Sequence, residues 1–224
     1  MAVFREKAWI GQMIHVARQP EPAIFDASVR APGRQYLATN NRPTSKEFAK
    51  HSYWRRILKE IHDVYGGVCA YSCHWIPYDT GADTVEHFRA KTTFPNDAYE
   101  WDNYRLVCAT LNGRKGVHAD VLDPFAIANG WFVIDFPSLL VKPAADLEER
   151  IVEQVLSTIA RLGLNDEGTC LRSRERYVRN FCKQCITFEF LREEAPFIAF
   201  ELERQGLIAN INDIMGYPPG PCDL

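Results

Sequence analysis

The chain contains 224 residues, of which 46% are hydrophobic and 25% are charged, so it can bury one core, alone or with appended helices. No apolar run approaches the roughly 18 residues of a membrane span, and the first residues lack the apolar centre of a signal peptide. These features argue against secretion and membrane insertion, and the expected location is cytoplasmic. The formal net charge of −3 argues against a protein that binds nucleic acid through its overall charge.

The charge is nevertheless unevenly distributed along the chain. Residues 1–60 contain 11 Lys or Arg against 5 Asp or Glu, whereas residues 61–224 contain 15 against 24. Because phosphate affinity comes mainly from Lys and Arg, a surface that follows a phosphate backbone would have to draw on the first part.

The cysteines predict reduced thiols or metal ligands. There are seven, an odd number at irregular spacing, which is not typical of a disulfide framework. We therefore expect no disulfide. Cys182 and Cys185 form a Cys-x-x-Cys pair, but they lie in a predicted helix, where two half-buried small residues are the preferred interpretation.

The predicted elements begin after a proline-containing arm, residues 1–45, which is expected to be mostly irregular apart from a short element near residues 9–16. A capping signal at Thr44 and Glu47 then starts a helix over residues 46–65. Short strands are predicted at residues 68–71, 84–88, 101–107 and 131–136, with a turn or helix start at 112–115. Helices follow from residue 146 and over residues 172–194, with Pro196 as a break, and an irregular tail covers residues 216–221.

Between residues 66 and 115, an ordered set of polar side chains carries the chemistry. Phosphodiester cleavage requires a deprotonated water and neutralisation of the growing negative charge, which a base and one divalent cation can supply. His87 has the right chemistry for the base, because an imidazole is largely neutral yet still basic near pH 7. Glu86 and Asn112 offer the oxygen ligands that Mg²⁺ and Mn²⁺ prefer.

The order Glu86-His87, Asn103, Asn112 resembles the HNH, or ββα-metal, endonucleases. The resemblance implies an α+β fold, with a small ββα-metal core embedded in a mainly helical domain. It implies catalytic roles for His87, Asn103 and Asn112, with Asn103 bracing a loop that orients the histidine, and one Mg²⁺ or Mn²⁺ held by Glu86 and Asn112. Adjacent strand residues point to opposite faces, so Glu86 and His87 can share a site only if the strand bends or ends there.

Further candidate residues surround this motif. His118 is an additional candidate metal ligand. Candidate nucleic-acid contacts, for which a solvated charged face is the alternative, are Arg89, Lys91, Arg105, Arg114 and Lys115.

A structural zinc, which many HNH proteins hold with two Cys-x-x-Cys pairs, is not expected. Cys69 and Cys108 occupy the first position of each pair, but Ser72 and Leu111 occupy the second, and Cys73 is displaced by one residue. Packing of aromatic residues against helix 46–65 is expected to replace the metal.

The flanking sequence resembles the PtuB-type HNH subunit of Septu and retron-associated anti-phage defence systems over residues 45 to 180. The matching segments are residues 53–54, 66–71, 85–91, 101–106 and 162–165, with Ala90 where that family normally has proline. The resemblance implies an ABC-type ATPase partner and a nuclease effector that cuts nucleic acid, with DNA expected rather than RNA.

The expected organisation is an arm at 1–45, the nuclease core with its preceding helix at 46–136, and a C-terminal helical region at 137–224. Two alternatives stay open for the function. One is a catalytically quiet scaffold or binding subunit, and the other is a stand-alone restriction-type HNH nuclease that needs no partner.

Overall fold

The computed structural model describes residues 15–217 and has the predicted α+β composition. Its α-helices are α1 (Ala31–Thr39), α2 (Ser45–Lys50), α3 (Leu58–Val64), α4 (Ala109–Lys115), α5 (Glu149–Leu162), α6 (Arg172–Cys182), α7 (Phe188–Glu194), α8 (Pro196–Arg204) and α9 (Ile211–Met215). Its strands are β1 (Asp83–His87), β2 (Tyr104–Cys108), β3 (Phe132–Asp135) and β4 (Leu140–Pro143). Among residues 15–217, no helix combines the length and apolarity needed to span a bilayer.

A strand–strand–helix unit forms the centre of the chain. β1 and β2 pair antiparallel, with Glu86 opposite Arg105 and His87 opposite Tyr104, and α4 follows β2 directly. β1 is hydrogen-bonded to β2 on one side only, so its other edge is free of strands within the described residues. The strands predicted at 84–88 and 101–107 are therefore confirmed, with the second beginning at Tyr104.

The single helix predicted over residues 46–65 is wrong in its continuity. The Thr44–Glu47 capping box is present and starts α2, but the chain then passes through a 3₁₀ segment, Tyr53–Ile57, before α3. The break occurs at Ser52, whose hydroxyl donates to the carbonyls of Phe48 and Ala49. A serine hydroxyl that takes helix carbonyls in this way competes with continuation of the helix.

The arm expected to be mostly irregular is about half helical where it is described. A π-helical segment, Asp26–Arg30, runs into α1, whereas the element predicted near residues 9–16 lies almost entirely outside the described residues. Gly33 of α1 sits directly on Tyr99, where a Cβ atom would lie 2.2 Å from the ring carbon Cγ. Contact with a loop that is distant in sequence, rather than a periodic apolar pattern, therefore accounts for α1.

The C-terminal region also differs from its prediction in one place. The helix predicted from residue 146 is present as α5, which begins at Glu149 and buries Val155 and Leu162. The helix predicted over 172–194 is instead two helices, α6 and α7, and Gln184 between them has a positive φ of 57°, which interrupts the helical path. The strand predicted at 131–136 is present as β3, and its partner β4 has no counterpart in the sequence prediction.

The cysteines are mostly reduced. Cys69, Cys108, Cys170 and Cys182 carry free thiols. Cys185 is disulfide-bonded, so the expectation of no disulfide is wrong at this residue. The Cys-x-x-Cys pair also does not share a helix, because α6 ends at Cys182.

Candidate active site

His87 ends β1 with its ring buried and held by the backbone. Nε2 lies 3.0 Å from the carbonyl oxygen of Ala98, and Trp54 and Tyr104 contact the ring edge-on at centroid distances of 4.6 and 5.1 Å. A carbonyl can only accept, so Nε2 carries the proton and Nδ1 carries the lone pair. Nδ1 makes no hydrogen bond within residues 15–217. The ring therefore presents one unengaged basic nitrogen.

The environment of His87 keeps the ring neutral. Burial lowers its pKa to about 3, and the nearby Lys91 ammonium contributes in the same direction. Burial disfavours the charged imidazolium, and a neighbouring cation disfavours it further. Nδ1 is therefore unprotonated at neutral pH, and the same shift makes it a weaker proton acceptor than an ordinary imidazole.

Asn103 ties together the loop that joins β1 to β2. Its Oδ1 accepts from the backbone N–H of Arg89 at 2.7 Å, and its Nδ2 donates to the carbonyls of Arg89 and Asp97 at 3.0 Å. Ala98, which holds the His87 ring, follows Asp97 directly. Asn103 therefore acts on His87 through the loop backbone and does not contact the ring.

Glu86 points to the other face of β1, towards α4. Its Oε1 lies 2.7 Å from Lys115 Nζ, and both side chains are 1% exposed. Lys115 Nζ also donates to the backbone oxygen of Phe88 at 2.8 Å. The second carboxylate oxygen, Oε2, is buried without a hydrogen-bond partner among the described residues, and burial raises the pKa of Glu86 although Lys115 opposes the shift.

Asn112 lies on α4 beside the same face of β1. Its Nδ2 donates to the hydroxyl of Thr84 at 2.9 Å, and its Oδ1 makes no hydrogen bond within residues 15–217. The amide oxygen is thus available to a ligand.

A cavity of about 610 Å³ runs along the free edge of β1. Every residue of β1 lines it, so Glu86 and His87 reach one space although their side chains leave opposite faces of the strand. The strand also ends at His87, which is one of the two conditions under which both residues can share a site. The remaining lining residues are Ser45, Trp54, Arg55, Leu58, Gly81, Ala90, Lys91, Thr92, Asn112, Gly116 and Val117.

Among the five basic residues predicted to contact nucleic acid, Lys91 alone lines this cavity. Its ammonium lies 5.2 Å from the centre of the Trp54 ring, and burial lowers its pKa. It makes no ion pair within the described residues. Arg89 lies outside the cavity lining, where it pairs with Asp97 at 2.9 Å.

The other three basic residues are engaged within the protein. Arg105 is 2% exposed and binds Asp123 through both Nε and Nη2, at 2.9 and 2.7 Å. Arg114 donates to the backbone oxygens of Leu162 and Gly163, and Lys115 is buried against Glu86. We therefore do not retain Arg105, Arg114 and Lys115 as phosphate contacts, because their donors already bind protein oxygens.

His118 and the cysteines lie apart from these groups. His118 is exposed and does not line the cavity. Cys69 and Cys108 are adjacent, since the Cys108 backbone N–H lies 3.4 Å from Cys69 Sγ. Within residues 15–217, no group of three or more His, Cys, Asp or Glu side chains is arranged to hold a metal ion.

The residues around the cavity fit a hard divalent cation that takes few protein ligands. Glu86 Oε2 is an unpartnered buried carboxylate oxygen, and Asn112 offers an amide oxygen. Mg²⁺ is usually held by one or two carboxylates and completes its shell with water and phosphate oxygens. Two oxygen donors on neighbouring elements are consistent with such a site.

Two charged residues that line the cavity, Asp83 and Arg55, were not among the sequence candidates. Asp83 is 4% exposed, and its Oδ2 is a second buried carboxylate oxygen without a partner among the described residues. The sequence could have indicated Asp83, because it lies four residues before His87 and therefore on the same face of the strand. Arg55 is separated from the motif by some 30 residues of sequence and shows no local signal.

Comparison with known proteins gives one relevant relative. A Bacillus thuringiensis protein named Septu protein PtuB is 26% identical to this chain over 130 residues, which is 58% of the chain and 46% of that protein. The chain therefore matches less than half of the relative's length. No model of a known protein family matches the chain.

Proposed function

We propose that this protein is a metal-dependent endonuclease of the HNH type that hydrolyses phosphodiester bonds, with DNA as the expected substrate. The observation that carries the proposal is the His87 ring. The ring is fixed by Ala98, is neutral, and makes no hydrogen bond at Nδ1 among the described residues. His87 lines one cavity together with Lys91 and Glu86, whose Oε2 has no hydrogen-bond partner in the same part of the chain.

His87 would act as the general base. With Nε2 donating to Ala98, Nδ1 accepts the proton of the attacking water, and the neighbouring carbonyl stabilises the imidazolium that results. Asn103 is a positioning residue, because it holds both ends of the loop segment that carries Ala98. Lys91 would contact a phosphate oxygen of the substrate and place the scissile bond near Nδ1.

Glu86 and Asn112 would hold the cation. When bound, Mg²⁺ or Mn²⁺ supplies Lewis-acid stabilisation of charge at the phosphate and leaving oxygen. The ion pair with Lys115 occupies Oε1 of Glu86, so Oε2 of Glu86 is the oxygen that would bind the cation.

The biological setting we propose is anti-phage defence. The relative's name identifies it as a Septu component, and the sequence resemblance to the PtuB-type subunit of Septu and retron-associated systems extends over residues 45 to 180. On this basis the protein works as the nuclease effector of a complex with an ABC-type ATPase. The acidic balance of residues 61–224 agrees with a nuclease that relies on a partner for part of its nucleic-acid binding.

A cleavage assay tests the proposal. Purified protein, alone and with the product of its genomic neighbour, is incubated with plasmid DNA and total RNA in Mn²⁺ or Mg²⁺. His87→Ala is expected to lower the cleavage rate by about 10²–10⁴-fold, the usual contribution of a general base. The matched control is His15→Ala, because His15 also bonds a backbone carbonyl, that of Ile127 at 2.7 Å, but does not line the cavity.

A folded His87→Ala protein that cuts as fast as wild type would show that the base is assigned wrongly. Cleavage of DNA without the partner would identify the stand-alone restriction-type nuclease. Cleavage of RNA alone would reject DNA as the substrate.

A catalytically quiet binding subunit is the second candidate, and the Glu86–Lys115 ion pair favours it. Lys115 already neutralises the Glu86 carboxylate. A protein of this fold that binds no metal would need such a cation to balance the buried charge. This alternative predicts that wild type and His87→Ala are both inactive even with the partner and its activating signal present.

A further inference from the structure

Arg55 is an unpaired cation at the edge of the cavity. It lies in the 3₁₀ segment Tyr53–Ile57, next to Trp54, which packs against the His87 ring. Its side chain is exposed and lines the cavity. Its guanidinium makes no hydrogen bond or ion pair within residues 15–217, so the guanidinium donors are available to a ligand.

The neighbouring Arg56 is also exposed but differs in its contacts. Its guanidinium carbon lies 4.6 Å from the centre of the Tyr53 ring, and its Nη1 donates to the backbone oxygen of Ser28 at 3.1 Å. It does not line the cavity. The chain thus places two exposed arginines side by side, one directed to the cavity and one engaged elsewhere.

The lining of the cavity includes two further groups that suit phosphate. Ser45, the first residue of α2, contributes a hydroxyl, and Lys91 contributes an ammonium that forms no ion pair in the described part of the chain. These two groups and Arg55 belong to three separate segments of the chain. Arginine and lysine bind phosphate oxygens through charge-assisted hydrogen bonds, and serine donates to the same oxygens.

The cavity offers little to an unstacked base. Within residues 15–217, Trp54 is the one Phe, Trp or Tyr that lines it, and its ring lies 5.2 Å from the Lys91 ammonium and packs edge-to-face with the His87 ring. Proteins that grip single strands use open aromatic faces on which bases stack. A site with phosphate donors and no open aromatic face is better suited to the backbone of a duplex.

We infer that Arg55, with Ser45 and Lys91, binds a phosphate of duplex DNA next to the one that is cut, and that this contact is independent of base sequence. The inference rests on the proposed function and extends it to a residue outside the motif. It also identifies where the basic first part of the chain meets the site.

Binding without cleavage tests the inference. The full chain carrying His87→Ala, without divalent cations, is titrated against two labelled duplexes of unrelated sequence, and anisotropy is measured over a range of salt concentrations. Adding Arg55→Ala is expected to weaken binding to both duplexes equally and to reduce the slope of log affinity against log salt by about one. Arg56→Ala is the matched control and is expected to leave both unchanged, while Arg55→Lys keeps most of the affinity.

The outcomes separate the inference from the proposed function. Equal affinities and slopes for Arg55→Ala and Arg56→Ala would overturn the inference, as would a loss confined to one sequence or stronger binding to the matching single strand. Arg55-dependent binding by a protein whose wild type never cuts supports the inference and counts against the nuclease.

Discussion

At the scale of single residues, the buried Glu86–Lys115 pair is the most consequential contact of the site. Both side chains are 1% exposed and the charged atoms are 2.7 Å apart. Removing two charges from water costs several kcal/mol per ion, which the pair recovers only while both partners are present. Lys115 therefore has a structural role that its exposed-looking sequence context, Gly113-Arg114-Lys115-Gly116, did not suggest.

Lys115→Met is expected to lower the free energy of unfolding by about 3–5 kcal/mol, because it leaves the Glu86 carboxylate buried without its cation. Urea denaturation measures the change. Lys142→Met is the control, since Lys142 pairs with Asp135 at 3.3 Å on the surface and an exposed pair contributes about 0–1 kcal/mol. Adding Glu86→Gln to Lys115→Met should recover part of the loss. If Lys115→Met costs no more than Lys142→Met, the buried pair does not contribute as described.

At the scale of elements, close contacts between distant segments position the cavity. α1 packs through Gly33 on Tyr99, which lies in the loop that also carries Ala98 and so holds His87. Trp54 reaches His87 only because the chain turns at Ser52 and continues as a 3₁₀ segment. The walls of the site therefore depend on elements that precede the motif in sequence.

Gly33→Ala is expected to destabilise the protein by about 1–3 kcal/mol, because the added Cβ would overlap the Tyr99 ring and overpacking carries a cost of this size. Thermal unfolding followed by circular dichroism measures it. Gly113→Ala in α4 is the matched control, since a Cβ there meets nothing within 4 Å. It should raise stability by about 0.5–1 kcal/mol, because alanine favours a helix over glycine. A stabilising Gly33→Ala would contradict the described docking of α1.

At the scale of the whole molecule, metal binding should be visible as added stability. A cation that binds only the folded protein stabilises it by about 2.7 kcal/mol at 100 times its dissociation constant. Such a measurement is independent of substrate, partner and activating signal. It tests the proposed ligands even if cleavage cannot be triggered.

Mn²⁺ is expected to raise the melting temperature of wild type, and Glu86→Gln should abolish the rise, because it replaces a carboxylate ligand by an amide. Differential scanning fluorimetry with and without Mn²⁺, and again after EDTA, measures the effect. Glu60→Gln is the matched control, since Glu60 also has a buried carboxylate oxygen without a partner but does not line the cavity. A rise that survives in Glu86→Gln, or that disappears in Glu60→Gln, would contradict the proposed cation site.

The sequence alone determined the local features of this protein. The capping box at Thr44 and Glu47, the strand β1 and the helix α5 depend on residues a few positions apart, so local patterns predicted them. The same holds for the α+β class. The order of Glu86, His87, Asn103 and Asn112 also indicated where in the chain to look for a site, although their catalytic roles stay predictions.

Only the tertiary structure decided which of these groups are available. In the sequence, Arg105 and Lys115 both resemble surface cations, yet in the structure each is buried in an ion pair, with Asp123 and Glu86 respectively. Lys91 and Arg55, by contrast, line the cavity. The physical reason is that ion pairing, burial and the free edge of β1 arise between segments far apart in sequence. No periodicity or spacing along the chain records such contacts.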